Sequence, residues 1–281
     1  MSSPVIIITG ASSGIGAATA QLFAAEGYRV VLAARRMDRL LVLSNEIKES
    51  GGEALPLQTD VSQVTQLENL IEQTLEHYGQ IDILVNNAGF GRLIWLDDQD
   101  LKDDIAAQIQ VNLTGVIQAS RLVLPHMIER QRGHIINISS VAAWVAPPTY
   151  SVYAATKFGI RGFTEGLRRE VKELGISVSA IYPGAVTTEF EEHARVNWEA
   201  EAITPSGFLL TAEDVAQSVL RIASNKRRGL TIPWSMNVAI WVNVHFPGFV
   251  DWVLSKFFNR KGNGSTTWGM NEEPKDAKTE D

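Results

Sequence analysis

Tyr153 and Lys157 stand four residues apart, and Ser140 lies thirteen residues before the tyrosine. On a helix, positions four apart share a face, so this spacing sets a lysine ammonium beside a phenol. A free phenol ionises near a pKa of about 10, too high to exchange protons efficiently at neutral pH. A neighbouring cation favours the phenolate and lowers that pKa, which makes the tyrosine a usable general acid or base. The same spacing also arises by chance on a solvated helix face, and the pair alone leaves both readings open. A second group of residues bears on the choice.

Val5-Ile6-Ile7-Ile8 is a short β-branched run, which reads as a strand buried on both faces. It leads into Thr9-Gly10-Ala11-Ser12-Ser13-Gly14-Ile15-Gly16 and then into Ala17-Ala18-Thr19-Ala20-Gln21-Leu22-Phe23, a good helix opening. Strand, glycine-rich turn and helix N-terminus together form an anion site, because unpaired backbone N–H groups and the helix dipole point at a phosphate. The glycines let the backbone approach a pyrophosphate and let the helix pack close to the strand. A glycine-rich turn alone is often only a tight turn; the strand before it and the helix after it favour the phosphate reading.

On these residues the chain resembles the short-chain dehydrogenase/reductase family, in its single-domain branch. The motifs are T-G-x-x-x-G-I-G from Thr9 to Gly16, N-N-A-G from Asn86 to Gly89, and the asparagine of V-N-L-T-G at Asn112. They continue with I-S-S ending at Ser140, Y-x-x-x-K at Tyr153 and Lys157, and P-G-x-V-x-T from Pro183 to Thr188, over about residues 4–235. The resemblance implies hydride transfer between a carbonyl and an alcohol, with Tyr153 as general acid/base and Ser140 holding the reacting oxygen. Lys157 would lower the tyrosine pKa and grip the nicotinamide ribose, and Asn112 would hold a relay water. It also implies that Gly10, Ser12, Ser13, Gly14, Ile15 and Gly16 cradle the pyrophosphate. Asp60 and Val61 would contact adenine, Asn87, Ala88 and Gly89 the ribose, and Pro183, Gly184, Val186 and Thr188 the nicotinamide end. In the family, an acidic residue closing the second strand selects NAD; here Ala34 stands there, followed by Arg35 and Arg36. A guanidinium pairs with a 2′-phosphate that a carboxylate would repel, so the expected cofactor is NADP(H), with Arg35 as the main contact and Arg36 second. A solvated turn is the plainer reading of the two arginines. Ser13 stands where some NADP-dependent relatives carry a basic residue.

The elements that must position these groups alternate along the chain. Strands are expected at Val5–Thr9, Arg29–Ala33, Ala54–Gln58, Ile81–Asn86, His134–Ser139, Ser177–Tyr182 and Gly229–Ile232. Helices are expected at Ile15–Gly27, Asp38–Ser50, Val64–Tyr78, Leu101–Gln131, Tyr150–Leu174 and Ala212–Ser224. That alternation is an α/β, Rossmann-type doubly wound parallel sheet with helices on both faces, plus a C-terminal apolar helical extension. The domain reading is 1–235 as the cofactor-binding catalytic unit, 236–262 as an aromatic helical extension of it, and 263–281 as a polar tail expected to be disordered. Ligands bind beyond the carboxyl ends of strands in such sheets, where every motif above falls. Ser139 is expected to face the other side of its strand as a structural residue.

Composition excludes other classes. With no cysteine, a disulfide framework and thiol chemistry are ruled out. His77, His126, His134, His193 and His245 lack ligand spacing, so no metal site is expected. A net charge of −7 argues against nucleic acid. Met1-Ser2-Ser3-Pro4 shows no basic leader region, so the default compartment is cytoplasmic, with membrane association as the variant the C-terminus suggests.

Substrate is less legible. Trp144, Val145, Pro147 and Pro148, then Phe190, Val196, Trp198, Ile203 and Phe208, with Trp95, read either as an apolar pocket wall or as ordinary packing of a lid. The expected partner is an apolar small molecule (a ketone, lipid-like or 3-oxoacyl carbonyl), and the family forms homodimers and homotetramers. Ile232–Phe258 is dense in aromatic residues but interrupted by Pro233, Asn237, Asn243, His245, Pro247 and Asp251. Two short helices broken near Pro247 are expected there, to cap the pocket, form a subunit interface or contact a membrane peripherally. The alternative function is a non-catalytic NADP(H)-binding sensor or scaffold, which has no need of a proton relay.

Overall fold

The computed structural model describes residues 3–190, 194 and 209–258. Seven strands form one parallel sheet in the order β3-β2-β1-β4-β5-β6-β7. They are β1 (Val5–Thr9), β2 (Arg29–Ala34), β3 (Glu53–Gln58), β4 (Ile83–Asn86), β5 (Gly133–Ile138), β6 (Ile176–Pro183) and β7 (Gly229–Ile232). The order reverses between β1 and β4, where Ile7 is in register with Val31 on one side and Leu84 on the other. Such a switch point opens a crevice beyond the strand ends.

Because successive side chains of a strand point to opposite faces, the β-branched runs feed two cores at once. Ile6, Ile8, Val30, Leu32, Ile83, Val85 and Ile136 pack against Phe23 of helix Gly14–Ala25, Leu40 and Ile47 of helix Met37–Glu49, and Val215 and Val219 of helix Ala212–Asn225. Val5, Ile7, Val31, Leu84 and Ile135 pack on the other face against Leu67 and Leu70 of helix Val64–Tyr78, Val123 and Met127 of helix Gly115–Glu129, and Leu167 of helix Ser151–Val171. Each fully buried aliphatic side chain contributes on the order of 2 kcal/mol, so the two cores hold the crevice edges rigidly. The expected Rossmann-type doubly wound sheet is therefore the observed one.

Two elements differ from their expected form. The Leu101–Gln131 helix is built in pieces: π turns at Leu101–Ala106 and Gln110–Thr114, an α turn at Ala107–Ile109 between them, then the α-helix Gly115–Glu129. Asp100 starts it by accepting from the Lys102 and Asp103 amides, while the Ile105 amide reaches back five residues to the Asp100 carbonyl. The Tyr150–Leu174 helix ends at Val171, followed by a 3-10 turn and Gly175 at φ 75°. At the C-terminus, helices Met236–His245 and Pro247–Phe257 are bent against each other by 116°. Among the described residues no single helix is long and apolar enough to cross a membrane.

Candidate active site

The glycine-rich turn is fastened to the loop after β4. Thr9 Oγ1 accepts from the Asn87 and Ala88 amides at 3.0 and 3.1 Å, and Asn87 Nδ2 donates to the Thr9 and Gly10 carbonyls. Gly10 (φ 68°) leaves no room for a side chain, since a Cβ there would lie 2.8 Å from Ala88 Cα. At Gly14 (φ 52°) a Cβ would project at Thr188, 3.2 Å from its methyl, across the space between the turn and the loop after β6. Ser13 caps helix Gly14–Ala25 by position only, with no side-chain hydrogen bond to its first turn. The opening N–H groups of this helix are thus left for an anion.

The Ser13 hydroxyl has another partner. Arg36, just beyond β2, donates from Nη2 to Ser13 Oγ at 2.8 Å and to Ser12 Oγ at 3.0 Å. Its Nη1 reaches Glu189 Oε2 at 3.2 Å, and Arg39 Nη1 reaches Glu189 Oε1 at 2.6 Å. The two guanidiniums, Arg39 foremost, hold the Glu189 carboxyl below the usual carboxylate range. Arg35 is exposed, with its carbonyl taken by Gln58 Nε2 at 3.1 Å. The guanidinium at the glycine-rich turn is Arg36; Arg39 and Glu189 were not singled out from sequence, and Glu189 lies 153 residues from Arg36.

Asp60 Oδ1 accepts from the Ser62 amide and hydroxyl at 2.9 and 2.7 Å, and Val61 is buried against Gly115, whose Cβ would sit 2.6 Å from the Val61 carbonyl oxygen. Gly184 donates to the Ile232 carbonyl at 2.7 Å, Val186 bridges to Leu210, and Thr188 Oγ1 accepts from the Phe190 amide. These positions bring Ile15 and Gly16 on one side and Pro183 to Thr188 on the other to the carboxyl edge of the sheet, around the switch point.

Asn112, Ser140, Tyr153 and Lys157 converge at the same edge. Asn112 sits in the second π turn, where such bulges often mark functional positions. Its Oδ1 accepts from the Phe90 amide at 2.9 Å and its Nδ2 donates to the Phe90 carbonyl at 2.7 Å, which pins the loop carrying Gly89. Helix Ser151–Val171 carries Tyr153 and Lys157, both buried. Lys157 Nζ donates to the Ile138 carbonyl at 3.1 Å and lies 5.5 Å from the Tyr153 ring centre. Burial lowers Lys157 to a pKa of about 8. Burial also pushes the Tyr153 phenol well above its ordinary range, against the downward pull of its hydrogen bond with Ser140. From sequence, Lys157 was expected to lower the phenol's pKa; here burial is the largest effect and acts the other way. Ser140 Oγ accepts from the Ala142 amide at 3.1 Å, while Ser139 is buried and donates to the Lys157 carbonyl at 3.3 Å.

An apolar shell surrounds the phenol: Leu93, Ala142 and Ala194, with Tyr150 and Phe190 at ring-centre distances of 6.2 and 5.6 Å. Phe190 was expected there and Leu93 was not. Trp144 belongs elsewhere: it packs with Ala143, Ala180 and Tyr182, and Arg161 stacks 3.3 Å from its ring centre. Val196, Trp198, Ile203, Phe208 and His193 lie outside the described residues, as do 263–281. Among the described residues no group of histidine and carboxylate side chains is arranged to hold a metal ion.

Comparisons with known proteins place this geometry in a class. Residues 4–198 match the short chain dehydrogenase family model, so the chain belongs to that family of oxidoreductases. It is 35% identical over 232 residues to the 3-oxoacyl-[acyl-carrier-protein] reductase of Thermotoga maritima, covering 81% of this chain and 93% of that protein. It is 40% identical over 192 residues to an uncharacterized oxidoreductase of Staphylococcus saprophyticus, covering 67% and 76%. A short-chain dehydrogenase from Sphingobium yanoikuyae, solved with NADPH, superposes with a TM-score of 0.76 at 29% identity, over 93% of this chain and 98% of that one. A Burkholderia phymatum member solved with NAD gives 0.80 at 28% identity, over 88% and 95%.

Proposed function

We propose that this protein is an NADP(H)-dependent reductase or dehydrogenase interconverting an apolar carbonyl and its alcohol. The observation that carries the reading is the group of half-buried Ser140 with buried Tyr153 and Lys157, facing a loop pinned by Asn112. When bound, the nicotinamide cofactor supplies or accepts the hydride. In reduction, Tyr153 gives its proton to the oxygen on which charge develops, and Ser140 donates a hydrogen bond to that oxygen. Burial suits this direction, because it keeps the proton on the phenol until the oxygen can take it. Lys157, with its pKa lowered to about 8, remains mostly an ammonium at neutral pH and holds the ribose side of the cofactor.

The fit of the cofactor to these residues is supported by the cradle at Gly10 and Gly14, which side chains would fill. NADP(H) over NAD(H) is supported by Arg36 on Ser12 and Ser13 and by Arg39, which shares Glu189 with it, with Arg35 beside Arg36 in sequence and no acidic residue at position 34. The apolar substrate is supported by Leu93, Tyr150 and Phe190 around the phenol, and by the 3-oxoacyl reductase among the relatives. Residues 1–235 form the catalytic unit in this reading, 236–262 extend it, and copies pair as a homodimer or homotetramer. The test is cofactor consumption, NADPH beside NADH, against aromatic, steroidal and long-chain ketones and β-ketoacyl thioesters. NADPH-selective turnover supports the assignment; tight NADPH binding without turnover of any of them favours a sensor.

A further inference from the structure

Helices Met236–His245 and Pro247–Phe257 present apolar side chains that nothing covers among the described residues. Trp234 is 76% exposed, Trp241 54%, Phe249 57% and Trp252 59%, and only Ile240 of the two helices is buried. In helix Met236–His245 the apolar residues are spread round the axis instead of gathered on one stripe. A subunit interface covers one face of a helix, whereas a helix apolar on every side needs an apolar medium around it. The pair is apolar and long enough together to qualify as a membrane span, yet its bend of 116° prevents a straight crossing.

Polar groups in the pair are matched to such a medium. Asn237 Nδ2 donates to the Trp234 carbonyl at 3.0 Å, His245 Nδ1 pairs with the Trp241 carbonyl at 2.9 Å, and Ser255 Oγ donates to the Trp252 carbonyl at 2.8 Å. Internal pairing of this kind removes the cost of leaving water. Tryptophan is favoured at the level of lipid headgroups. Charge is matched as well: between Met236 and Lys261 the sequence carries three cations, Lys256, Arg260 and Lys261, against one acid, Asp251, in a chain whose net charge is −7. Ten and eleven residues of helix reach about 15 and 17 Å, which is half of a hydrocarbon core about 30 Å thick.

We propose that this helix pair seats the protein on an anionic lipid bilayer, entering the near leaflet without crossing it. The pair begins just after β7, at the sheet edge that carries the site. Met236 Cε would lie 3.7 Å from a Cβ at Gly184, and Asn243 Nδ2 donates at 3.0 Å to the carbonyl of Trp144, four residues past Ser140. Docking therefore turns the site's edge toward the lipid. On the reductase reading, which this consequence rests upon, the substrate is a lipid-soluble carbonyl drawn from the bilayer.

The test uses the full chain and vesicles of phosphatidylcholine with or without phosphatidylglycerol. The wild type is expected to sediment with the phosphatidylglycerol vesicles, and its tryptophan emission to be quenched by lipids brominated on the upper acyl chain. A Trp241→Glu, Trp252→Glu double variant is expected to bind about tenfold more weakly or less, with unchanged melting temperature and NADPH affinity. Vesicle binding does not require turnover, so a failed reductase assignment leaves this result readable. A wild type that stays in the supernatant overturns the proposal. So does a soluble dimer that the double variant splits while neither form binds vesicles.

Discussion

Glu189 places its carboxylate on Arg36, 3.2 Å from Nη1, while Nη2 of the same guanidinium holds Ser13 Oγ at 2.8 Å. One side chain thus joins the glycine-rich turn to the loop after β6, across the space a cofactor's adenosine phosphate would enter. A second cation, Arg39, shares the carboxylate. A 2′-phosphate and Glu189 would compete for the same donors.

Arg36→Ala is therefore expected to raise the KM for NADPH by about tenfold or more and to change that for NADH little, because a charge-assisted phosphate contact is lost. Glu189→Gln removes the competitor, and its KM for NADPH should fall. Steady-state kinetics with both cofactors read this. Equal losses for NADPH and NADH in Arg36→Ala would assign the arginine to loop structure alone.

The turn itself tolerates little. A Cβ at Gly16 would strike the Gly10 carbonyl oxygen and lie 2.7 Å from Asn87 Nδ2, so Gly16→Ala forces the turn from its partners. The expected cost is about 1–3 kcal/mol of stability, with loss of NADPH binding. Gly162, in helix Ser151–Val171, has open space where its Cβ would go, and Gly162→Ala should stabilise by about 0.5–1 kcal/mol. Thermal unfolding and NADPH fluorescence titration distinguish the two; equal behaviour would contradict the cradle geometry.

Acid stability has an identifiable contributor. Ser179 donates its own hydroxyl proton to the Arg227 carbonyl at 2.6 Å, so its contact with His134 Nε2 at 2.8 Å is a bond donated by the imidazole. Burial, with Lys226 nearby, lowers His134 to a pKa of about 4 from an ordinary 6.5. The unfolded chain takes up this proton at about pH 6.5 and the folded one only at about pH 4, so stability declines as pH falls through that window. The contribution is about 3 kcal/mol at most. His134→Gln should flatten the dependence of unfolding free energy on pH between 6.5 and 4, whatever its effect at neutrality. An unchanged slope would show that other groups carry it.

Much of this was legible in the chain. Val5-Ile6-Ile7-Ile8 marks a doubly buried strand because only a parallel sheet covered on both faces accepts unbroken β-branched residues. Asn112, Ser140, Tyr153 and Lys157 were visible by type and spacing, and the fold brings them to one edge. The π turns around Asn112 were not visible, since widening a helix by one residue leaves no residue-type signature. Glu189 was hidden because a charge pair between residues 153 apart exists only once the sheet is assembled. Trp144 stays open in the sequence between pocket wall and ordinary packing, because residue type does not tell which way a bulky ring turns when an arginine, Arg161, is available to stack on it.

Proton transfer by Tyr153 is read by comparing Tyr153→Phe with the wild type. NADPH oxidation would be followed on the best ketone or thioester substrate, with NADPH affinity measured separately by fluorescence. Turnover is expected to fall by about a hundredfold or more with NADPH affinity unchanged, since phenylalanine keeps the ring packing against Phe190 and loses only the hydroxyl. A variant that reduces the substrate as fast as the wild type would contradict it.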